Sequence, residues 1–449
     1  MEKDENKMEM DAQQLLQQLS WILDGRCIHH KGTNESICTS VLAHCQKPRY
    51  LEFVRDIASA VAGTDADRPA PVSAAVEGAV TTFSTPQSSS TADCSDAQES
   101  IYSSAFLMMD GNLAIAATAL KPIYKYAWHL LSTLDVSWIS SHSNVSIVDR
   151  VPISSIASDE NPAYKTIAEA SQALVLINPE CYTAWNARKH LICQGFIDPL
   201  DEFHYTSLLL SKHRKSSIVW AHRFWIRSHL SSDILCTLLP LDINVCQQAA
   251  DSYKRNYPAW TYRMKIAGSP SKDYILAELS TVRKWTKLHV SDYSGWNYCQ
   301  WLLSRLAELD PQSDQVAQQL IQELNLVHSL IDMCSGHESL WNHLRFVSKL
   351  AATIFHNWCD PAHLCLDNHN EFTCPDTAID VMYGPDLYPT CAQELLFAQA
   401  IAATRPSDRP YALVLSFIFA NELKHQVLCE KLKSILAEEL PHKVFFGSM

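Results

Sequence analysis

Tryptophan is followed three residues later by arginine at Trp185/Arg188, Trp220/Arg223 and Trp260/Arg263. On a helix, positions i and i+3 share a face, so each indole and guanidinium lie side by side. A buried indole fills the gap between neighbouring helices and contributes a few kcal/mol. The guanidinium stacks on an aromatic ring and reaches carbonyls or a carboxylate in the adjacent turn. This chemistry reads as one that holds helices together, in preference to a ligand role for the pairs. A second group, His356, Cys359, His363, Cys365, His369 and Cys374, falls within the 19 residues HNWCDPAHLCLDNHNEFTC. Subsets of it have spacings suited to Zn2+, but none forms a C-x-x-C knuckle. The segment reads as a surface loop with reduced thiols, and no metal is assigned to this chain. His190, His222 and His343 lie on tryptophan-bearing helix faces and read as satisfied core or interface histidines. No nucleophile, base and acid set stands out.

These residues must be positioned by helices. The chain has 449 residues and 47% hydrophobic content, enough for a long array with a large core. Only 11 residues are glycine, and neither GxGxxG nor GxxxxGK[ST] occurs. A formal charge of −13 argues against nucleic acid as a main partner. From Glu180 to Gln300 the balance reverses to 15 Lys/Arg against 10 Asp/Glu, read as solvated helix faces or as a face that meets an anion. The 15 cysteines are scattered, and the N-terminal MEKDENKMEMDAQQ has no apolar run. Reduced thiols, no secretory leader and a cytoplasmic location are therefore expected. The longest late apolar run, Tyr411 to Ala420, is about half a membrane span. The C-terminal FGSM lacks a lipidation cysteine.

The order along the chain follows from pattern. Residues 1–62 read as an N-terminal helical segment. Residues 63–100, with TPQSSSTADCSD, read as a disordered low-complexity insertion. Residues 101–160 read as a helical segment, with a break near Lys121-Pro122, and a Ser-rich loop from 139. From 161 to 350 a unit of two helices occurs five times, its second helix opened by Trp185, Trp220, Trp260, Trp296 or Trp341. Their spacings of 35, 40, 36 and 45 residues fit stacked helical hairpins, because one hairpin cannot bury its apolar face alone. Pro258 suits a first helical turn, Gly195 a helix stop, and Ser291 or Asp292 an N-cap. The last two copies depart from the pair, with Cys299 after Trp296 and Leu344 after Trp341. Residues 351–390 read as an irregular Cys/His-rich insertion. The remainder, 391–449, reads as two C-terminal helices at 391–404 and 411–436. The expected fold is all-α, a right-handed α-α superhelix built as a solenoid of helical hairpins.

Three phrases carry a resemblance: N-P-x-x-Y-T-x-W-N-x-R at Asn178 to Arg188, K-S-x-x-x-W-x-H-R-x-W at Lys215 to Trp225, and N-Y-x-A-W-x-x-R at Asn256 to Arg263. Together they resemble the repeat of protein prenyltransferase α subunits. HVSDYSGWNYCQWLL and SGHESLWNHLRF most resemble the branch of that family assigned to a third geranylgeranyltransferase. The resemblance covers about Ala163 to Leu350.

It implies an α subunit wrapped around a β subunit and inactive without it. The β subunit, expected to be the one shared with the Rab-modifying enzyme, would carry the Zn2+, and geranylgeranyl diphosphate would be the co-substrate. The reaction implied is transfer of the prenyl group to a C-terminal cysteine of an acceptor protein. By the same resemblance, Lys215 faces the diphosphate and Tyr257 lies on the substrate side. Ser217 stands where the family has a second tyrosine, and Pro258 where farnesyl-transferring relatives have a histidine. The competing reading is a non-enzymatic scaffold like a tetratricopeptide array, whose W-x-x-L-G-x-x-Y signature is missing here. Neither reading calls for nucleic acid or a transmembrane segment.

Overall fold

The computed structural model describes residues 2–24, 50–54, 105–109, 112–133, 162–268, 270–355, 358 and 389–440. The chain divides into two compact units, Met1–Tyr253 and Lys254–Met449.

The first unit opens with α1 (Glu2–Leu23). Three short strands follow: β1 (Tyr50–Val54), β2 (Phe106–Met109) and β3 (Asn112–Ala116). They form one sheet in the order β1-β3-β2, with β1 parallel and β2 antiparallel to β3. The N-terminal helix bears out part of the helical expectation, while the strands correct it at 50–54, 106–109 and 112–116 and add a sheet to the otherwise helical described residues. Leu51 pairs with Leu113 and Phe106 with Ile115, and all four side chains are buried. Such period-2 pairing of apolar residues suits a half-buried sheet. The Leu51 amide donates to Ser211 Oγ at 3.0 Å, fastening the sheet to the repeats.

β3 runs into α2 (Ala117–Thr133). Pro122 lies inside this helix, where a break was expected. As the sixth helical residue, it forfeits only the bond an amide there would make to the Thr118 carbonyl, close to the helix start. Ile123, Ala127 and Leu131 recur at i, i+4 and i+8 and bury the face that meets α1 and α3 (Pro162–Ile177).

The helices of the repeats fall where the tryptophan spacing placed them. α3 turns into α4 (Tyr182–Cys193), and α5 (Pro199–Lys212) into α6 (Ser217–Ile226). Each turn has four residues, short enough to force antiparallel neighbours. Gly195 ends α4 with φ 75°, and the Phe196 amide closes back on the Leu191 carbonyl at 2.9 Å. α7 (Ser232–Ser252) ends the first unit and packs on α5.

The second unit begins with α8 (Tyr257–Ala267), so the third repeat has its helices in different units. Pro258 sits in its first turn, and Asn256 caps it by accepting from the Ala259 amide. α9 (Lys272–Leu288) pairs with α10 (Tyr293–Leu309), and α11 (Asp314–Met333) with α12 (Glu338–Ile354). Asp292 caps α10 through the Ser294 and Gly295 amides. α13 (Cys391–Thr404) and α14 (Arg409–Glu422) form a further hairpin, and α15 (Gln426–Glu439) packs on α14. The expected single helix 411–436 is therefore two. Lys424, at φ 54°, turns the chain between them, and His425 caps α15. α8, α10, α12 and α14 stack in sequence as one layer.

The low-complexity segment 63–100, the Ser-rich loop from 139 and the Cys/His group 356–374 lie outside the described residues. Trp358 is described and buried, and its carbonyl accepts from the Cys391 amide at 2.8 Å. Among the described residues, no helix is long and apolar enough to cross a membrane.

Candidate functional site

All five marking tryptophans, Trp185, Trp220, Trp260, Trp296 and Trp341, are buried. In three of them the indole N–H reaches the carbonyl six residues earlier, across the turn before its own helix. Trp185 donates to Pro179, Trp220 to Arg214 and Trp296 to Val290, at 2.7–2.9 Å. The ring fills the hairpin while its polar edge fixes the turn. Trp341 instead donates to Asp408 Oδ1 at 2.9 Å, borrowing a partner from the turn that precedes α14.

The arginines are buried too, and each meets one carboxylate on the first helix of the next hairpin. Arg188 pairs with Glu202 through both carboxylate oxygens. Arg223 Nε reaches Asp242 at 2.8 Å, and Arg263 forks onto Glu278 at 2.8–3.2 Å. A planar fork against a planar carboxylate gives two parallel bonds. Rings complete the packing: Arg223 lies 3.7 Å above Phe203, and Arg263 lies near Trp260 and Tyr298.

The two copies without this arginine keep the carboxylate. Glu323 is buried on α11 opposite Cys299, and its cation is Arg283, reaching in from α9 at 2.5 Å. Glu394 is buried on α13, and His328 meets it at 3.0 Å. A second group, two residues after a marking tryptophan, joins three of the five acids. His222 reaches Glu202 at 2.9 Å, Tyr298 reaches Glu278 at 3.2 Å, and His343 reaches Glu323 at 2.7 Å.

The titration behaviour follows from this geometry. Burial alone would raise the Glu202 pKa, but Arg188 and His222 outweigh it and hold the carboxyl at about 2. Glu323 is held at about 2 in the same way by Arg283 and His343. Burial lowers the His222 pKa despite Glu202, so its ring is neutral and donates Nε2–H to the carboxylate. Cys299, Glu323 and His343 place a sulfur, an oxygen and a nitrogen within 4.8 Å of one another, a set that could hold a metal ion. The carboxylate charge is already matched by Arg283, and burial pushes the Cys299 thiol far up, keeping it protonated. The cluster therefore balances its charges without an ion.

The Trp/Arg residues thus form the core of the repeats, as their spacing implied. His222 and His343 are buried in it, while His190 is half-buried against Tyr164. Sequence reasoning missed the five acids. Each stands alone as a buried acid in an apolar helix face, but nothing local separates Glu202 from its exposed neighbour Asp201.

Lys215 lies elsewhere. It is exposed in the turn before α6, one residue ahead of the N-cap Ser216, with its Nζ 4.2 Å from the centroid of the Tyr253 ring. Lys215 thus stands beside the positive end of α6, where the Ser216 hydroxyl donates to the Glu180 carboxylate at 2.8 Å. Tyr257 opens α8 and is 61% exposed. It stands in the second unit and Lys215 in the first. Tyr182 and Tyr293 open α4 and α10 and are likewise exposed, so three of the five tryptophan helices present a tyrosine at their first residue.

Comparison with known proteins fits this arrangement. The family model "Protein prenyltransferase alpha subunit repeat" matches residues 275–306 and 320–350, which are the α9/α10 and α11/α12 hairpins. Helical hairpins of this kind build α-α superhelices, the fold class expected for the repeats. "Protein prenyltransferase alpha subunit repeat-containing protein 1" of Danio rerio is 31% identical over 242 residues, 43% of this chain and 56% of that protein. The Homo sapiens protein of that name is 30% identical over 236 residues, 41% of this chain and 59% of its own length. "Geranylgeranyl transferase type-2 subunit alpha" of Bos taurus is 23% identical over 199 residues, 41% of this chain and 34% of that protein. The chain thus spans between half and three-fifths of the first two relatives. The family match falls on the two hairpins that lack the Trp-x-x-Arg pair, and it contains the phrases HVSDYSGWNYCQWLL and SGHESLWNHLRF.

Proposed function

We propose, from the premise that this chain is built of protein prenyltransferase alpha subunit repeats, that it serves as the α-type subunit of a heterodimeric protein geranylgeranyltransferase. The observation that carries the reading is the repeat match over 275–306 and 320–350, on hairpins whose buried Trp and carboxylate positions recur from Trp185 onward. In this reading the partner is a β-type subunit, with the one shared with the Rab-modifying enzyme as first candidate. That partner supplies the Zn2+ that activates the acceptor thiol and most of the isoprenoid pocket.

The contribution assigned to this chain is electrostatic. In prenyl transfer, the bond between the prenyl carbon and the diphosphate oxygen breaks as sulfur bonds to that carbon, and charge grows on the leaving diphosphate. An ammonium at the head of a helix, already placed, stabilises that charge without reorganising. Lys215 occupies such a place, and its contact with the Tyr253 ring holds the flexible side chain near one position. Tyr257 is assigned to the substrate side because it matches the tyrosine of the family's third repeat. With Ser217 at the matching position of the second repeat, one phenolic donor fewer is available there than in the family pattern.

The test is reconstitution. The chain alone should not transfer labelled geranylgeranyl groups to a Cys-tailed acceptor, and adding a β-type subunit should give zinc-dependent transfer. Lys215→Ala should then lower kcat about tenfold or more, the scale of losing one transition-state charge contact, while the subunits still assemble. Transfer at the wild-type rate would remove Lys215 from the site. Recovery of partners unrelated to prenyltransferase β subunits, with none of the latter in equal amount, would favour the scaffold reading instead.

A further inference from the structure

A second reactive cluster sits at the other end of these helices. Cys193 closes α4 and is exposed. His229 ends the short turn Arg227–His229 that follows α6, and its Nε2 lies 4.0 Å from Cys193 Sγ. Ser228 Oγ lies 3.1 Å from His229 Nδ1. The same hydroxyl donates its single proton to the Trp225 carbonyl at 2.8 Å. With that proton committed, Ser228 Oγ accepts from Nδ1–H. The neutral imidazole therefore carries its proton on Nδ1 and turns a lone pair at Nε2 toward the thiol. The Trp225 indole lies against the imidazole, with ring centroids 4.2 Å apart, and fixes its plane. Lys189, one turn before Cys193 on the same face of α4, places its Nζ 5.4 Å from the Trp225 ring centroid.

We propose that Cys193 is a modification site: a nucleophilic thiol, served by His229 as base, that undergoes exchange with anionic low-molecular-weight disulfides of the glutathione type. The His229 lone pair takes the thiol proton. The thiolate attacks one sulfur of the disulfide, a new S–S bond forms to Cys193, the old S–S bond breaks, and the departing thiolate takes up the proton. One disulfide and one thiol give one mixed disulfide and one thiol, so no further oxidant enters. The Lys189 ammonium favours both the protein thiolate and the carboxylates of such a disulfide.

Place in the fold adds to the case. Lys215 and Tyr182 stand at the N-terminal ends of α6 and α4, whereas Cys193 and His229 stand at or just past the C-terminal ends. About 16 Å of helix rise separates Tyr182 from Cys193. A partner seated on the N-terminal ends leaves the thiol open to solvent. The exchange needs this chain alone, so its outcome is independent of the subunit reading.

The full chain supplies its own reference. Cys236 on α7 is the other exposed cysteine among the described residues, and Cys181 and Cys299 are buried. The reduced chain is mixed with excess oxidised glutathione at pH 7, and mixed disulfide at each cysteine is followed by peptide mass spectrometry. Cys193 should react about threefold faster than Cys236 or more, the scale that thiolate gain leaves once lower nucleophilicity is deducted. His229→Gln should bring Cys193 down to the Cys236 rate, with the Cys236 rate unchanged and Cys181 and Cys299 still unlabelled as proof of folding. Equal rates at the two exposed thiols of the wild-type chain, or a Cys193 rate that His229→Gln leaves unmoved, overturns the proposal.

Discussion

Removing one charge from the Arg188–Glu202 pair should cost far more than removing both. Two routes give the size of the single loss. The Glu202 carboxyl sits at about 2 against an ordinary 4.5. Each pKa unit corresponds to about 1.4 kcal/mol, so roughly 3 kcal/mol of stability depends on its being ionised. Independently, stripping one partner from a buried pair costs about 3–5 kcal/mol, because the survivor is left charged and without a match. Arg188→Met should therefore destabilise the first unit by about 3 kcal/mol at pH 7, and Glu202→Gln by a similar amount. The double variant Arg188→Met/Glu202→Met should lose less than either single one, since methionines of similar length fill the space without charge. Urea denaturation at pH 7 gives the comparison, and hydrogen exchange of peptides from α4 and α5 assigns the loss to that hairpin. The pH dependence has a fixed sign. A carboxyl with a depressed folded-state pKa stabilises above 4.5 and loses that contribution as pH falls from 4.5 through about 2. The gap between wild type and Glu202→Gln should thus be full at pH 7 and shrink steadily below pH 4.5. A single-variant loss under about 1 kcal/mol, or a gap that stays constant down to pH 2, would refute the assignment of Glu202 as an ionised partner that holds the hairpins together.

The same packing makes two further predictions. Gly295→Ala would place a methyl 2.5 Å from Trp285 Cζ3, and that ring is pinned by a stack on His289 and an edge contact with Trp260, so thermal unfolding should show a loss of about 1–3 kcal/mol. Restoring the repeat arginine by Cys299→Arg should also destabilise by about 1–3 kcal/mol, because Arg283 already occupies Glu323 and Gln319. Adding Arg283→Ala to that variant should recover most of the loss in a urea titration, and failure to recover would show that Arg283 does not stand in for the missing arginine.

How much of this was legible in the sequence depends on how far apart the interacting residues lie. The hairpin boundaries were legible because each cue is local: a tryptophan within a turn of its N-cap, Pro258 in a first turn, Gly195 at a helix end. The sheet had a local cue as well, since Asp110-Gly111 between FLMM and NLAIA is a strong hairpin signal, but helix-like apolar spacing in the same stretch obscured it. The last hairpin was legible only in part, because α14 has no marking tryptophan; Asp408 in its turn instead receives the indole of Trp341 from the preceding hairpin. The acids were not legible at all. They follow their arginines by 14, 19 and 15 residues, and no fixed interval exists to be read.

That irregularity says what the repeat conserves physically within each unit. A buried ion pair contributes little net stability relative to apolar packing, yet it penalises any slip that separates its partners. Arg188, Arg223 and Arg263 each join the tryptophan helix of one hairpin to the first helix of the next, so they specify register between hairpins and leave the hairpin itself to apolar burial. Where the tryptophan helix offers Cys299, the carboxylate remains and a cation arrives from α9; where it offers Leu344, Glu394 remains and His328 serves. The buried acid is therefore the fixed element and the arginine its most frequent partner. A pattern keyed to Trp-x-x-Arg passes over the hairpins at 275–306 and 320–350, although these are the ones the family repeat matches. A pattern keyed to a buried acid on the first helix would include both of these hairpins, with Glu278 on α9 and Glu323 on α11.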